Sequence, residues 1–169
     1  HSFLIYTYGK TLLTPGQRIG YIALPPEMPD RELMRNALLT AQMLVGYAFP
    51  NALMQYALPE LEQLSIDIPH LQRKRDRMVE SLGEMGYDLY SPEGTFYLMP
   101  RSPLEDDLAF TRLLMAHKIY CLPGAAFEMP GNFRISLTAN DEMIERSLSG
   151  FYAALQAARQ QSLVSTYAR

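Results

Sequence analysis

The residues whose types and spacing are best suited to chemistry lie near the start of the sequence. Lys10 comes three residues after Thr7 and eight residues before Arg18. A lysine amine attacks a carbonyl group only when it is partly deprotonated, which desolvation or a nearby fixed cation favours, and Arg18 is a candidate for that cation. A guanidinium is also a planar fork of donors that suits a phosphate, and the Thr7 hydroxyl adds a further donor. The spacing therefore indicates an anion site beside a carbonyl-reactive lysine.

A lysine that forms a Schiff base beside a phosphate anchor is the arrangement that pyridoxal phosphate chemistry uses. This stretch resembles the signature of the fold-type I, class I/II aminotransferases, which depend on pyridoxal 5′-phosphate. Thr7 stands where serine or glycine is usual but keeps the hydroxyl, and Thr14 stands where the family has an apolar residue. The matching positions are Thr7, Lys10, Gly16, Arg18 and Gly20.

Two later landmarks, 92–98 and 123–127 followed by 133–136, resemble further features of the same family in the same order. The resemblance implies that Lys10 is both the Schiff-base partner of the cofactor and the general acid and base. It implies that Thr7 and Arg18 hold the cofactor phosphate, and that Arg134 clamps the substrate α-carboxylate. The implied activity is transamination between an amino acid and a 2-oxo acid by a cytoplasmic homodimer.

Arg134 also has an interpretation that rests on the sequence pattern alone. A strand alternates its faces, so Arg134 and Ser136 share a side opposite three apolar neighbours. Those neighbours are Phe133, Ile135 and Leu137. An arginine placed in this way either forms a structural ion pair with a nearby carboxylate or binds the carboxylate of a ligand through its bidentate fork.

The family signature lies well past the middle of a complete aminotransferase, so the resemblance implies that this sequence is a fragment. The expected fold class is α/β. Residues 1–66 are expected to be the C-terminal part of the large pyridoxal phosphate-binding domain, and residues 67–169 the small C-terminal α/β domain. The groups that stack on the cofactor ring and pair with its nitrogen would lie outside this sequence. We therefore expect this stretch alone to be inactive and to bind the cofactor weakly or not at all.

The composition limits the other classes of function. The 169 residues are 48% apolar and 20% charged, which is typical of a globular chain with one domain or two small ones. A net charge of −3 gives no support for a nucleic acid partner. No apolar run approaches the roughly 18 residues of a membrane span. The single cysteine, Cys121, excludes an internal disulfide, fits a reducing compartment and is expected in the core.

Apolar periodicity predicts the elements that position these residues. The strands before and after Lys10 are expected to belong to a larger parallel sheet, with Lys10 in the loop between them. The predicted strands are 3–8, 19–24, 87–90, 95–99, 119–122 and 133–137. The predicted helices run from the N-cap Asp30 to Gly46, from 52 to 64 with an interruption near Pro59, from 68 to 86, from 104 to 117 and from 141 to 159.

Several alternatives stay open at this point. A decarboxylase, lyase or synthase on the same scaffold would use the same lysine and arginines. A non-catalytic aminotransferase-like domain, such as the sensor half of a regulator, would keep the fold. The basic run 73–77 is interpreted as a solvated helix face rather than an anion site, and His70 and His117 have no partners at the spacing of metal ligands.

Overall fold

The computed structural model describes residues 2–47 and 49–167, with side chains described as far as residue 161. The chain divides into two compact units, His1–Asp67 and Ile68–Arg169. This division is next to the boundary drawn from the sequence, and the assignment of the first unit to a larger cofactor-binding domain stays a prediction. Within the described residues, no helix has the length and apolar character that a bilayer crossing needs.

The first unit contains a pair of antiparallel strands, β1 (Leu4–Thr7) and β2 (Gly20–Ala23). They pair over four positions, from Leu4 opposite Ala23 to Thr7 opposite Gly20. The expectation of parallel strands is wrong for this pair. The connection consists of one helical turn, α1 (Tyr8–Thr11), and a 3-10 turn, Pro15–Gln17, which together reverse the chain instead of crossing the sheet.

Two longer helices complete the first unit, α2 (Arg31–Leu44) and α3 (Ala52–Leu61). Asp30 occupies the N-cap position of α2, but its backbone is left-handed and its side chain makes no capping hydrogen bond. Asn51 caps α3 by accepting the backbone N–H of Met54 at 3.3 Å. The predicted interruption near Pro59 is wrong, because a proline removes only one helical hydrogen bond and α3 continues to Leu61.

The second unit is a small α/β layer. Its helices are α4 (Ile68–Met85), α5 (Asp107–Ala116) and α6 (Asp141–Tyr167). Its strands are β3 (Tyr97–Leu98), β4 (Leu122–Pro123) and β5 (Phe133–Ser136). All pairs in this sheet are antiparallel and the order is β3-β5-β4, so β5 is the central strand.

Four predicted elements in the second unit need correction. Residues 87–90 form no strand: the Asp88 carbonyl accepts the backbone N–H of Arg101 at 2.8 Å, but no ladder continues from it. The strands at 95–99 and 119–122 shrink to two residues each, because β5 pairs with each neighbour over a short register. Helix α6 continues beyond 159, since residues 160–167 contain no glycine or proline to end it.

The core of the second unit is apolar and closely packed. It contains side chains from all three helices and from β3 and β5. Its most buried large members are Met78, Leu82, Leu98, Phe110, Leu114, Phe133, Leu137 and Phe151. The Tyr87 hydroxyl donates to the Phe151 carbonyl at 2.8 Å, which satisfies the one polar group of that ring inside the core.

The side chain of Leu82 has no exposed surface, so its truncation tests this core. We expect Leu82→Ala to lower the free energy of unfolding of the second unit by about 2–5 kcal/mol, because it leaves a cavity among packed neighbours. Urea unfolding followed by circular dichroism measures the change. The control, Gln72→Ala at an exposed position of the same helix, should shift stability by less than about 0.5 kcal/mol. Equal effects of the two variants would contradict the assigned core.

Candidate active site

Thr7 ends β1 and begins α1. Its backbone is extended, with φ −135° and ψ 134°, and its Oγ1 accepts the backbone N–H of Gly9 at 3.3 Å. Because the hydroxyl oxygen is the acceptor in this hydrogen bond, the hydroxyl proton remains available for donation to another group. The side chain is exposed, so an anion can approach it.

Arg18 follows the 3-10 turn in a left-handed conformation, with φ 48° and ψ 55°. A non-glycine residue in this region carries a backbone cost of about 1–3 kcal/mol, which the surrounding structure has to offset. Its Nη1 donates to the Pro15 carbonyl at 2.9 Å, which fixes the direction of the guanidinium. None of the ion pairs among the described residues includes Arg18.

Gly9 lies between the Thr7 hydroxyl and the Arg18 guanidinium. A Cβ atom at Gly9 would lie 3.5 Å from Thr7 Oγ1 and 3.9 Å from Arg18 Nη1, so both groups border the same small space. A hydroxyl donor and a guanidinium without a carboxylate partner in the described chain form a donor set that suits a phosphate. The residues of this turn therefore fit the phosphate group of pyridoxal 5′-phosphate.

Lys10 directly follows Gly9 on α1, and its side chain is exposed. The sequence placed it in a loop, whereas the structure places it on a helical turn. That turn is anchored by Tyr8, which is 4% exposed and whose hydroxyl donates to the Glu62 carboxylate after the end of α3. Because Tyr8 and Lys10 share one turn, the Tyr8–Glu62 hydrogen bond also restrains the backbone that carries Lys10.

The pKa of Tyr8 is raised well above its ordinary value. The hydrogen bond to Glu62, together with burial and the negative charge of that carboxylate, raises the pKa of Tyr8 to about 12. The phenol therefore stays protonated over the whole physiological range and keeps its hydrogen bond to Glu62.

Arg134 lies in the second unit, on β5. The predicted alternation is confirmed: Phe133 and Ile135 are buried, whereas Arg134 is half-buried on the other face. Its guanidinium carbon lies over two aromatic rings, 4.3 Å from the Tyr97 centroid and 3.9 Å from the Phe127 centroid. Such contacts attract a cation through the ring faces and leave its in-plane N–H groups able to donate.

A cavity of about 360 Å³ borders the Arg134 guanidinium. Its walls include Tyr90, Pro92, Tyr97, Met99, Phe127 and Met129. Within the part of the chain that the structure describes, no carboxylate forms an ion pair with Arg134. A structural ion pair therefore has no partner there, and the role of Arg134 toward a ligand carboxylate stays a prediction.

Asp107 supports this cavity and was missed by the sequence analysis. It is 4% exposed, and its Oδ2 accepts the backbone N–H groups of Ala125 and Gly131, each at 3.0 Å. These bonds fix the loop that carries Phe127. A sequence signal existed in the acidic pair at the start of α5, because Asp106 alone already caps the helix through its bonds to Leu108 and Ala109.

The basic run 73–77 and Cys121 make contacts within the protein. The structure agrees with the interpretation of 73–77 as a solvated face at Arg77, which is exposed and forms a bidentate pair with Glu145 at 2.8 and 2.9 Å. Lys74 departs from it, because its side chain is largely covered and donates to the Ala139 carbonyl at 2.7 Å. Cys121 is half-buried against the core, and burial raises its pKa to about 12. Among the described residues, no cluster of His, Cys, Asp and Glu is arranged to hold a metal ion.

Comparisons with known proteins identify the family. A model described as aminotransferase class I and II matches residues 1–151. The chain is 27% identical to a probable aspartate/prephenate aminotransferase of Aquifex aeolicus, covering 92% of this chain and 41% of that protein. It is 27% identical to a tyrosine aminotransferase of Caenorhabditis elegans, covering 82% of this chain and 32% of that protein.

The solved structure of an aminotransferase from Eubacterium rectale superposes with a TM-score of 0.80 at 29% identity. The match covers 92% of this chain and 39% of that one, so the chain spans about two fifths of its length. This likeness confirms the predicted fold class, the C-terminal part of a fold-type I aminotransferase.

The hydrogen bond that anchors the Lys10 turn makes stability depend on pH. The folded-state pKa of Tyr8, about 12, lies above its ordinary value of 10.0. Its contribution to stability is therefore complete below pH 10 and is lost as the pH rises through 12. We expect the urea midpoint of the wild-type chain to fall more steeply over this range than that of Tyr8→Phe.

The control for this comparison is Tyr56→Phe, at a tyrosine that is 87% exposed, and it should follow the wild type. Parallel midpoint curves for the wild type and Tyr8→Phe would show that Tyr8 contributes nothing to the pH dependence.

Proposed function

The chain belongs to the aminotransferase class I and II family, and on that premise we propose that the protein carrying it transfers an amino group between an amino acid and a 2-oxo acid, using pyridoxal 5′-phosphate. The observation that carries the proposal is the convergence of Thr7 Oγ1 and Arg18 Nη1 beside Gly9, next to Lys10. When bound, the cofactor supplies a ring that accepts the electron pair of the bond broken at the substrate Cα.

Thr7 and Arg18 hold the phosphate end. The Thr7 hydroxyl donates its proton, and the guanidinium donates through the N–H groups that the Pro15 carbonyl does not use. Gly9 keeps the space between the two groups open, because it has no side chain to fill it.

Lys10 carries out the covalent and proton-transfer chemistry. Its amine would hold the cofactor, and the same amine would accept the proton from the substrate Cα and deliver it to the cofactor. Arg134 binds the substrate α-carboxylate through its fork. This contact sets the orientation of the substrate, and hence which bond at Cα is aligned for cleavage.

The names of the relatives do not fix the substrate, because they include both acidic and aromatic amino acids. Decarboxylation and elimination use the same lysine and arginine. Analysis of the products formed from a panel of amino acids and 2-oxo acids separates these reactions: transamination consumes one of each and releases no carbon dioxide.

The role of Lys10 is tested by covalent labelling in the full-length protein. The chain has three lysines, Lys10, Lys74 and Lys118. Borohydride reduction of the cofactor-loaded protein, followed by mass analysis, should place the label on Lys10. Lys10→Ala should lose the label and at least about 10²–10⁴-fold in turnover, since it removes the proton carrier.

Lys118→Ala, at an exposed lysine, is the matched control and should keep both label and activity. Normal turnover by Lys10→Ala would exclude the assigned role. We expect the 169-residue chain alone to be labelled weakly, since the groups that bind the cofactor ring in the proposed enzyme would lie outside it.

We also propose that the protein is a homodimer and that the surface of α2, α3 and the segment between them packs against another chain. Large apolar side chains are exposed there: Leu44 is 82% exposed, Phe49 88% and Tyr56 87%. Large apolar side chains exposed in this number are characteristic of an interface.

Sedimentation of the full-length protein tests this proposal. The wild type should sediment as a dimer, and Phe49→Asp should weaken the association at least about tenfold, because it places a charge in a desolvated contact. Gln72→Lys, at an exposed residue of the second unit, should leave the association unchanged. A monomeric wild type at micromolar concentration would contradict the proposal.

A further inference from the structure

We propose that Glu62 is a positioning residue for Lys10: its carboxylate holds the Tyr8 hydroxyl, and through Tyr8 it sets the orientation of the helical turn that carries the lysine. This inference rests on the proposed function and deepens it, because it states what keeps the reacting amine in place. It assigns no such role to Glu62 at the phosphate-binding groups, and this difference between the two parts of the site can be measured.

Tyr8 is the residue through which the turn is fixed to the rest of the first unit. Its ring is buried, with its centroid 5.1 Å from that of Tyr6 and 6.2 Å from that of Tyr21. Its backbone N–H donates to the Ile19 carbonyl at 3.1 Å, and its carbonyl accepts the backbone N–H of Leu12 at 3.1 Å. Backbone and ring therefore both connect the turn to the strand pair.

The Tyr8 hydroxyl extends this anchoring to α3. It donates to the carboxylate of Glu62, which is 54 residues away in sequence and caps the C-terminal end of that helix. The backbone N–H of Glu62 donates to the Leu58 carbonyl at 2.8 Å, so the carboxylate is carried by a hydrogen-bonded helix end. A hydrogen bond to an ionised acceptor is stronger than one between neutral groups. This bond is also the first cause of the raised pKa of Tyr8, so the phenol remains a donor at neutral pH.

The phosphate-binding groups are held by other contacts. Thr7 is paired in the β1–β2 ladder, and the Arg18 guanidinium is fixed by its bond to the Pro15 carbonyl. Neither contact involves α3. Lys10, in contrast, lies two residues after Tyr8 on a helix of only four residues. So short a helix has little stability of its own, and its orientation depends on its anchors.

The position of the Lys10 amine matters for the chemistry proposed above. A proton carrier has to lie within hydrogen-bond reach of the proton that it moves. A misplacement of about 1 Å can lower a rate by about a hundredfold. Loss of the Glu62 contact should therefore slow the reaction of Lys10 with the cofactor, while the phosphate end still binds.

Two measurements on the full-length protein separate these effects. The affinity probe is 4′-deoxypyridoxine 5′-phosphate, which keeps the phosphate of the cofactor but has no aldehyde for Lys10 to attack. The second measurement is the rate at which cofactor, at saturating concentration, becomes trapped on Lys10 by borohydride. We expect Glu62→Ala to lower this rate by about tenfold to a hundredfold and to change the Kd of the probe by less than about threefold.

Substitution of the donor tests whether Glu62 acts through Tyr8. Tyr8→Phe removes the hydroxyl but keeps the buried ring, and it should lower the labelling rate by the same factor. The double variant, Tyr8→Phe with Glu62→Ala, should be no slower than either single variant, because all three lose one and the same hydrogen bond.

Hydrogen exchange gives a measurement that needs no cofactor. The amides of Leu12 and Leu13 donate to carbonyl groups of the turn and report on its opening. In cofactor-free Glu62→Ala they should exchange about tenfold to a hundredfold faster than in the wild type. The amides of Phe133 and Leu137 in the second unit, which also donate to backbone carbonyls, are the internal reference and should be unchanged.

Two further variants complete the comparison. Glu62→Gln keeps an acceptor oxygen of similar reach and should recover most of the labelling rate. Glu27→Ala removes an exposed carboxylate elsewhere in the first unit and should match the wild type in every measurement.

The proposal is overturned if Glu62→Ala is labelled at the wild-type rate. It is equally overturned if the labelling rate and the probe affinity fall together, because that result indicates a general loss of structure. A wild-type protein that is never labelled on Lys10 would refute the proposed reaction instead. The exchange rates of Leu12 and Leu13 would then still decide whether Glu62 holds the turn.

Discussion

Strand β5 has to satisfy opposite demands on its two faces, and the second unit is organised by that constraint. One face supplies Phe133 and Ile135 to the core, and the other presents Arg134. Since side chains alternate strictly along a strand, a shift of one residue would bury the guanidinium and expose both apolar side chains. Pairing with β3 and β4 on its two edges holds the register that avoids this.

The same constraint links the interior of the second unit to its cavity. Asp107 is buried on α5, yet its carboxylate binds backbone N–H groups of the loop that carries Phe127. Gly124, at the start of that loop, has no room for a Cβ atom because the carbonyl oxygens of Met129 and Asn132 lie too close. The loop therefore packs closely against the core. The position of the Phe127 ring that contacts Arg134 is set by contacts within the protein.

The sequence was most informative where a local pattern has a single physical solution. The alternation around Arg134 predicted a strand, and the structure has one there. The apolar stripe of α4 predicted a helix that ends at Gly86, and the structure has this helix, with Gly86 at φ 96°. Features that depend on residues distant in sequence could not be predicted from the local pattern. The antiparallel pairing of β1 with β2 depends on how one connection turns, and the failure of 87–90 to form a strand depends on the lack of a continuing neighbour.

The candidate site shows the same division between local and distant information. The spacing of Thr7, Lys10 and Arg18 was enough to predict that their side chains act together, and the structure brings the hydroxyl and the guanidinium to one glycine. The two rings over Arg134 come from segments separated from it in sequence, so no spacing rule pointed to them.

The two candidate sites are built in separate units of the chain. The groups proposed to hold the cofactor belong to the first unit, and Arg134, proposed to bind the substrate carboxylate, belongs to the second. Within the second unit, the Asp107 carboxylate fixes the loop that carries Phe127. Within the first unit, the Tyr8–Glu62 hydrogen bond restrains the turn that carries Lys10, so each site depends on contacts inside its own unit.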